Sequence, residues 1–103
     1  MPSIQTIPEA DEQAQAADAW WVRHRPSSPN LFLDELTGAI DLLQRAPDVG
    51  RPHPHRAIPG LRRLLLTFTR HHIYYVHDEA ADEVIILAVW GASRAGGPRL
   101  RLP

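Results

Sequence analysis

The chain has 103 residues, 44% of them hydrophobic, which is enough for one compact domain around one core. The absence of cysteine excludes disulfides and thiolate metal sites, and no apolar run approaches membrane-spanning length. A formal net charge of −1 conceals an uneven distribution: residues 1–50 hold eight acids and three arginines, residues 51–103 eight arginines, four acids and five of the six histidines. Two solvated faces of opposite sign would account for this. So would a basic half that meets an acidic protein segment or a nucleic acid. All the positive charge is arginine, a side chain suited to bidentate contacts with carboxylate or phosphate. The polar N-terminus, MPSIQTIPEADEQ, has no apolar stretch of the secretory kind, so a soluble cytoplasmic protein is the expectation.

SIQTI alternates as a short strand does. TIPE then predicts a helix start, with Thr6 as the cap, Pro8 in the first turn and Glu9 three residues on. Ala10, Ala14, Ala17 and Trp21 recur at helical steps and share a face. Trp20 and Trp21 diverge around the helix, so one belongs to the core and the other to a rim or partner contact. RHRPSSP ends the helix, because proline cannot continue it. A second helix starts near Pro29, with Phe32, Leu36, Ala39 (or Ile40) and Leu43 inward and Asp34, Glu35 and Asp41 toward water. It should stop at Ala46, the residue before Pro47. The short link makes the two helices an antiparallel hairpin.

PDVGRPHPHRAIPG, with four prolines and two glycines, reads as loop. From Leu61 the period becomes that of strands, at roughly 62–69, 71–77 and 83–90, joined by short links as an antiparallel meander. VIILAV is apolar on both parities, as a central strand covered on both faces would be. The fold class is therefore α+β, a helical hairpin on one face of a small antiparallel sheet, as a single domain over 1–103. The glycine-rich basic stretch 95–103 is expected to be a mobile tail.

GLRRLLLTFTRHHIYYVHDE, residues 60–79, carries the residue types of a nuclease. Strand parity divides them: His71, Ile73, Tyr75 and His77 share one face, and His72, Tyr74 and Val76 the other. The adjacent histidines cannot flank one scissile bond. Tyr75, beside Ile73, should pack under the helices with its hydroxyl in need of a partner. His72 and Tyr74 would lie on the helix-free face, within reach of a ligand. His53 and His55 of HPH could converge on a metal, but no third ligand stands at a recognisable spacing, so no metal and no cofactor is expected.

The ordered series PEADEQAQAADAWW, RPSSPNLFLDELTGAIDLLQRAPDVGRP, GLRRLLLTFTRHHIYYV and DEVIILAVWGASR resembles the ParE/RelE superfamily of bacterial type II toxins over nearly the whole chain. The resemblance implies a helical hairpin on an antiparallel sheet, and a toxin restrained by a cognate antitoxin, ParD-like or related. Antitoxin or target contacts are then expected at Arg62, Arg63, Arg70, His72, Tyr74 and Arg94, and along the second helix. In RelE-like relatives basic residues and a late tyrosine or histidine cleave mRNA on the ribosome. Here a cleavage centre would have to come from Arg63, Arg70, His72, Tyr74 and Arg94, because no histidine or tyrosine follows Arg94 and Gly91 stands where many relatives carry a histidine. The wording GLRR…HHIYYV…VIILAVW is closer to the ParE-like branch, described as inhibiting DNA gyrase without hydrolysis, which implies no catalytic residue. A relative that has lost potency is a third reading.

Overall fold

The computed structural model describes residues 1–103. In chain order it contains β1 (Ser3–Thr6), α1 (Pro8–His24), α2 (Leu31–Arg45), β2 (Arg51–Pro52), β3 (Arg62–Leu66), β4 (His71–Asp78) and β5 (Glu83–Gly91). The five strands form one sheet in the order β1-β5-β4-β3-β2. β2 to β5 pair antiparallel, as the short links require, but β1 joins β5 in parallel, so the sheet is mixed. A parallel neighbour needs a long crossover, and the whole of α1, α2, β2, β3 and β4 lies between β1 and β5. No helix is long and apolar enough to cross a membrane.

The helices start and stop largely where local chemistry directs. Ile7, not Thr6, caps α1, and no side chain bonds the first turn. Thr6 is spent on the ladder with Ile86, and the Ile7 carbonyl accepts the N–H groups of Ala10 (3.0 Å) and Asp11 (3.1 Å). Pro8 has no N–H to satisfy, so a side-chain cap has less to do. Glu9 reaches Arg101 of the tail instead of closing a capping box. α2 ends at Arg45 with Ala46 as its cap, and Phe32, Ala39 and Leu43 are its buried face.

Nineteen buried residues form a single cluster, drawn from both helices and from β3, β4 and β5. All six residues Val84–Val89 are buried, as the apolar run on both parities requires. A bulge contributes: Tyr74 pairs with Ala88 and Tyr75 with Ile86, which leaves Leu87 as the extra residue. The bulge re-phases β5 so that Val89, Ile86 and Val84 stand opposite Ile73, Tyr75 and His77 on the helix side. The last backbone bond to β5 is the Ile7 N–H on the Ile86 carbonyl (3.1 Å), and further along Gln13 of α1 accepts the Val89 N–H (2.8 Å). The chain after Gly91 has no regular structure. Leu100 packs against the core, and Arg101 pairs with Glu9 at the start of α1.

Two boundaries and one side chain differ from the sequence reading. The segment 47–60 is not all loop, since Arg51–Pro52 pairs with β3. The strand expected over 62–69 ends at Leu66, and Thr67–Arg70 is a turn. Arg70 sits there at φ 60°, the left-handed region, which costs a non-glycine residue about 1 kcal/mol. Glu35, expected to face water, is drawn to this turn. Its carboxylate accepts hydrogen bonds from the N–H of Phe68 (2.8 Å) and of Thr69 (3.0 Å) and from the Thr69 hydroxyl (2.6 Å).

Candidate functional site

The polar residues of β3 and β4 separate as strand parity demands. On the helix side His71 meets the edge of Phe32 (ring centroids 5.0 Å apart), and its Nδ1 lies 3.0 Å from the Thr69 carbonyl. Tyr75 is fully buried, and its hydroxyl accepts the Gly50 N–H at 2.8 Å. Burial pushes the Tyr75 phenol above its usual value. Arg62, opposite Tyr75 on β3, donates to the carbonyls of Asp48 (3.1 Å) and Gly50 (2.7 Å). Its guanidinium thus holds the α2–β2 loop and is less available to a partner than a free surface arginine.

The opposite face presents a groove of about 520 Å³ between β2 and β4, lined among others by Arg51, His53, Arg63, Leu65 and His72. Tyr74 lies beneath it. Expected within reach of a ligand, Tyr74 is only 4% exposed. His53 stands edge-on to its ring at 5.5 Å, His72 at 6.1 Å, and the Arg63 guanidinium is 6.0 Å from its centre. Reading residues 51–60 as loop hid this lid: as β2 runs into His53, the His53 N–H reaches the Leu61 carbonyl (2.9 Å) and brings the imidazole over β4.

A second groove, of about 690 Å³, lies where the end of α1 meets the β3–β4 turn and residues 91–94. Trp20, Trp21, Arg25, Phe68, Arg70 and Arg94 are among its lining residues. Trp21 is the inward ring, with its indole N–H on the Ser28 carbonyl (2.8 Å). Trp20 is 46% exposed and stacked on His24 at 4.4 Å, and Phe68 is 75% exposed. The Ala92 N–H donates to the Arg70 carbonyl (2.7 Å), which joins the two loops of this groove. Arg94 folds back so that its guanidinium lies 3.7 Å from the centre of the Trp90 ring. Gly91 leaves room for that path, since a Cβ there would stand 3.3 Å from Arg94 Cγ. Arg25, Arg70 and Arg94 have no carboxylate within ion-pair reach.

The five residues of a conceivable cleavage centre are therefore divided. Arg63 and His72 line the first groove, Arg70 and Arg94 the second, and the two share no lining residue. Tyr74 is covered. No three His, Asp or Glu side chains gather as a metal-ligand group.

A family model described as "ParE toxin of type II toxin-antitoxin system, parDE" matches residues 5–96. The chain belongs to the ParE toxin family. A chain of the chromosomal ParDE TA system from P. aeruginosa superposes with TM-score 0.72 at 19% identity, covering 90% of this chain and 98% of that one. The isolated E. coli RelE toxin gives 0.63 at 14% identity, covering 92% and 88% of the two chains. A chain of the intact E. coli RelBE toxin–antitoxin complex gives 0.63 at 14%, covering 91% and 100%. A comparison with curated proteins gives no match. At these identities the likeness is one of fold, two helices on one face of a five-stranded sheet.

Within this ParE chain, Arg51 and Glu35 are the site-forming residues that sequence reasoning missed, and His53, weighed there only as half of a metal pair, lines the first groove. The spacing of Arg51 and His53, two apart and followed by the arginines of β3, was a strand signal masked by four prolines. The histidines carry a measurable signature. Burial lowers the pKa of His53, His71 and His72 below the ordinary 6.5, and Arg63 adds to the effect at His53 and His72. Below that value the unfolded chain takes up protons that the folded chain refuses, so stability falls as the pH drops. The denaturation midpoint should therefore decline as the pH falls through the ordinary histidine value of 6.5 and below it, a window above the carboxylates. At His71 burial outweighs the Thr69 carbonyl and Glu35, which raise its pKa, and His71→Gln should flatten the profile. A profile unchanged by that substitution would place the effect elsewhere.

Proposed function

We propose that this chain is the toxin of a type II pair, restrained by a cognate ParD-like antitoxin, and that it acts by binding DNA gyrase rather than by cleaving RNA. Membership of the ParE family supports the first part. The division of the candidate cleavage residues between two grooves supports the second, and it is the observation that carries the reading. Ribonuclease chemistry needs a base, an acid and a cation around one phosphate. Here Arg94 is stacked on Trp90, Tyr74 is covered, and no titratable ring follows Arg94. Binding makes no such demand.

The groove beside Trp20 and Phe68 suits an antitoxin segment. It offers exposed aromatic rings framed by unpaired Arg25, Arg70 and Arg94, the combination that holds an apolar and acidic chain folding as it binds. Such a segment would not need Arg62, which is engaged by carbonyls.

Pulse-labelling after induction without antitoxin tests the proposal. DNA synthesis should fall before protein synthesis, and the purified chain should block supercoiling by gyrase. If protein synthesis falls first, the chain is a ribosome-dependent mRNA nuclease and the gyrase reading is lost. No growth arrest at all would mark a relative without toxicity.

A further inference from the structure

Arg51 of β2 stands directly opposite Arg63 of β3 in the antiparallel register. Residues so paired send their side chains to the same face, and like charges in that relation are destabilising. Neither arginine has a carboxylate within ion-pair distance, and no acidic residue lines the groove they share. His53, two residues beyond Arg51, and His72 of β4 bring imidazole N–H groups to the same hollow. Two guanidiniums and two imidazoles thus converge on an open concavity of about 520 Å³ with no internal counter-charge. Arg62, one residue away, shows the alternative, because its charge is spent on backbone carbonyls.

We infer that Arg51, His53, Arg63 and His72 form a phosphate-binding site on the helix-free face, and that its ligand is the sugar–phosphate backbone of a nucleic acid. Guanidinium forks and imidazole N–H groups are donors matched to phosphate oxygens, and they hold a strand without reading its bases. A protein partner fits this groove less well. Protein interfaces are anchored by aromatic and apolar side chains, and the exposed rings of this chain are in the other groove. No phenyl, phenol or indole ring lines the first groove, and Tyr74 beneath it is covered and cannot stack on a base. The site is independent of which enzyme the toxin blocks.

The test is fluorescence anisotropy of the full chain with a labelled single strand of mixed sequence, at several salt concentrations. Two phosphate contacts predict a slope of log K against log salt of about −1.4. Arg51→Gln with Arg63→Gln should weaken binding about 100-fold, tenfold for each contact, and flatten the slope. Arg45→Gln, on α2 at the opposite layer, should change neither. The double variant should melt no lower than the parent chain, because it relieves a like-charge pair. Independently of any variant, the His53 and His72 ring resonances should move when the strand is added. Lower pH should tighten binding, since protonation of these rings is opposed by burial first, then by Arg63 at both, by Arg70, His53 and His71 at His72 and by His55 at His53, and a bound phosphate offsets the charge repulsion. An affinity for the strand unchanged by the double variant, or no binding at low salt, overturns the inference. Equal affinity for inorganic phosphate would reduce the site to one for a free anion. Equal competition by a glutamate-rich peptide would assign it to an acidic protein. Either result also overturns the nucleic-acid claim, and neither bears on whether gyrase is blocked.

Discussion

Gly50→Ala should destabilise the protein by about 2–4 kcal/mol, the range expected when overpacking is added to a lost hydrogen bond. A Cβ at Gly50 would stand 2.7 Å from the Tyr75 hydroxyl oxygen and 2.8 Å from Cε1 of its ring. The requirement for glycine is therefore one of space, set by a fully buried aromatic ring with nowhere to retreat. Shifting the loop to make room would break the Gly50 N–H bond to that hydroxyl and disturb the two carbonyls held by Arg62. Tyr75→Phe should cost less, about 1–2 kcal/mol, because it removes the acceptor of one buried N–H and adds no overlap. On the Tyr75→Phe background the alanine should cost less than it does alone, since the hydroxyl contact is gone while the ring contact stays. Urea denaturation of the three variants gives the coupling directly. Additive costs would show that Gly50 and Tyr75 act separately, which the geometry does not allow.

That pair also shows where the sequence was legible. Tyr75 could be placed inward, and its hydroxyl said to need a partner, from parity alone. The partner is a backbone N–H 25 residues earlier, and no local pattern records it. The helices, the three C-terminal strands and the apolar central strand follow from periods of helix and strand, because burying a face forces those periods. β1's parallel place beside β5 could not be read locally, being a relation between the two ends of the domain. The site was half visible for the same reason. Parity divided His71 from His72, but the lid over Tyr74 comes from a strand of only two residues among prolines. Glu35 looked like a surface acid because its partners, Phe68 and Thr69, lie 33 and 34 residues away.

Glu35→Ala should cost about 2–4 kcal/mol and loosen the second groove as well. The substitution removes the acceptor for three donors; water replaces it at the exposed Phe68 N–H, and the two part-buried bonds from Thr69 carry the cost at a net of about 1–2 kcal/mol each. Thr69 is 5% exposed, so water cannot easily replace the carboxylate at its N–H and hydroxyl. The turn has little else to hold it. Arg70 carries left-handed strain, Phe68 projects into solvent, and the remaining ties are the Arg70 N–H to Leu66 (2.9 Å), the Ala92 N–H to Arg70 and the His71 ring on the Thr69 carbonyl (3.0 Å). In the Glu35→Ala variant the Phe68 and Thr69 amides should exchange with solvent well before the strands of β3 and β4, which the parent chain should not show. Thr69→Val on that background should then cost far less than on the parent chain, since its hydroxyl has already lost its partner. Because Phe68 and Arg70 both line the groove proposed for the antitoxin, affinity for that partner should fall even where the chain is fully folded. An unchanged midpoint with unchanged amide exchange would mean that the carboxylate merely rests against a turn that other forces hold. The left-handed Arg70 would then need a different restraint, and Arg70→Gly, which removes the strain itself, is the substitution that would reveal it.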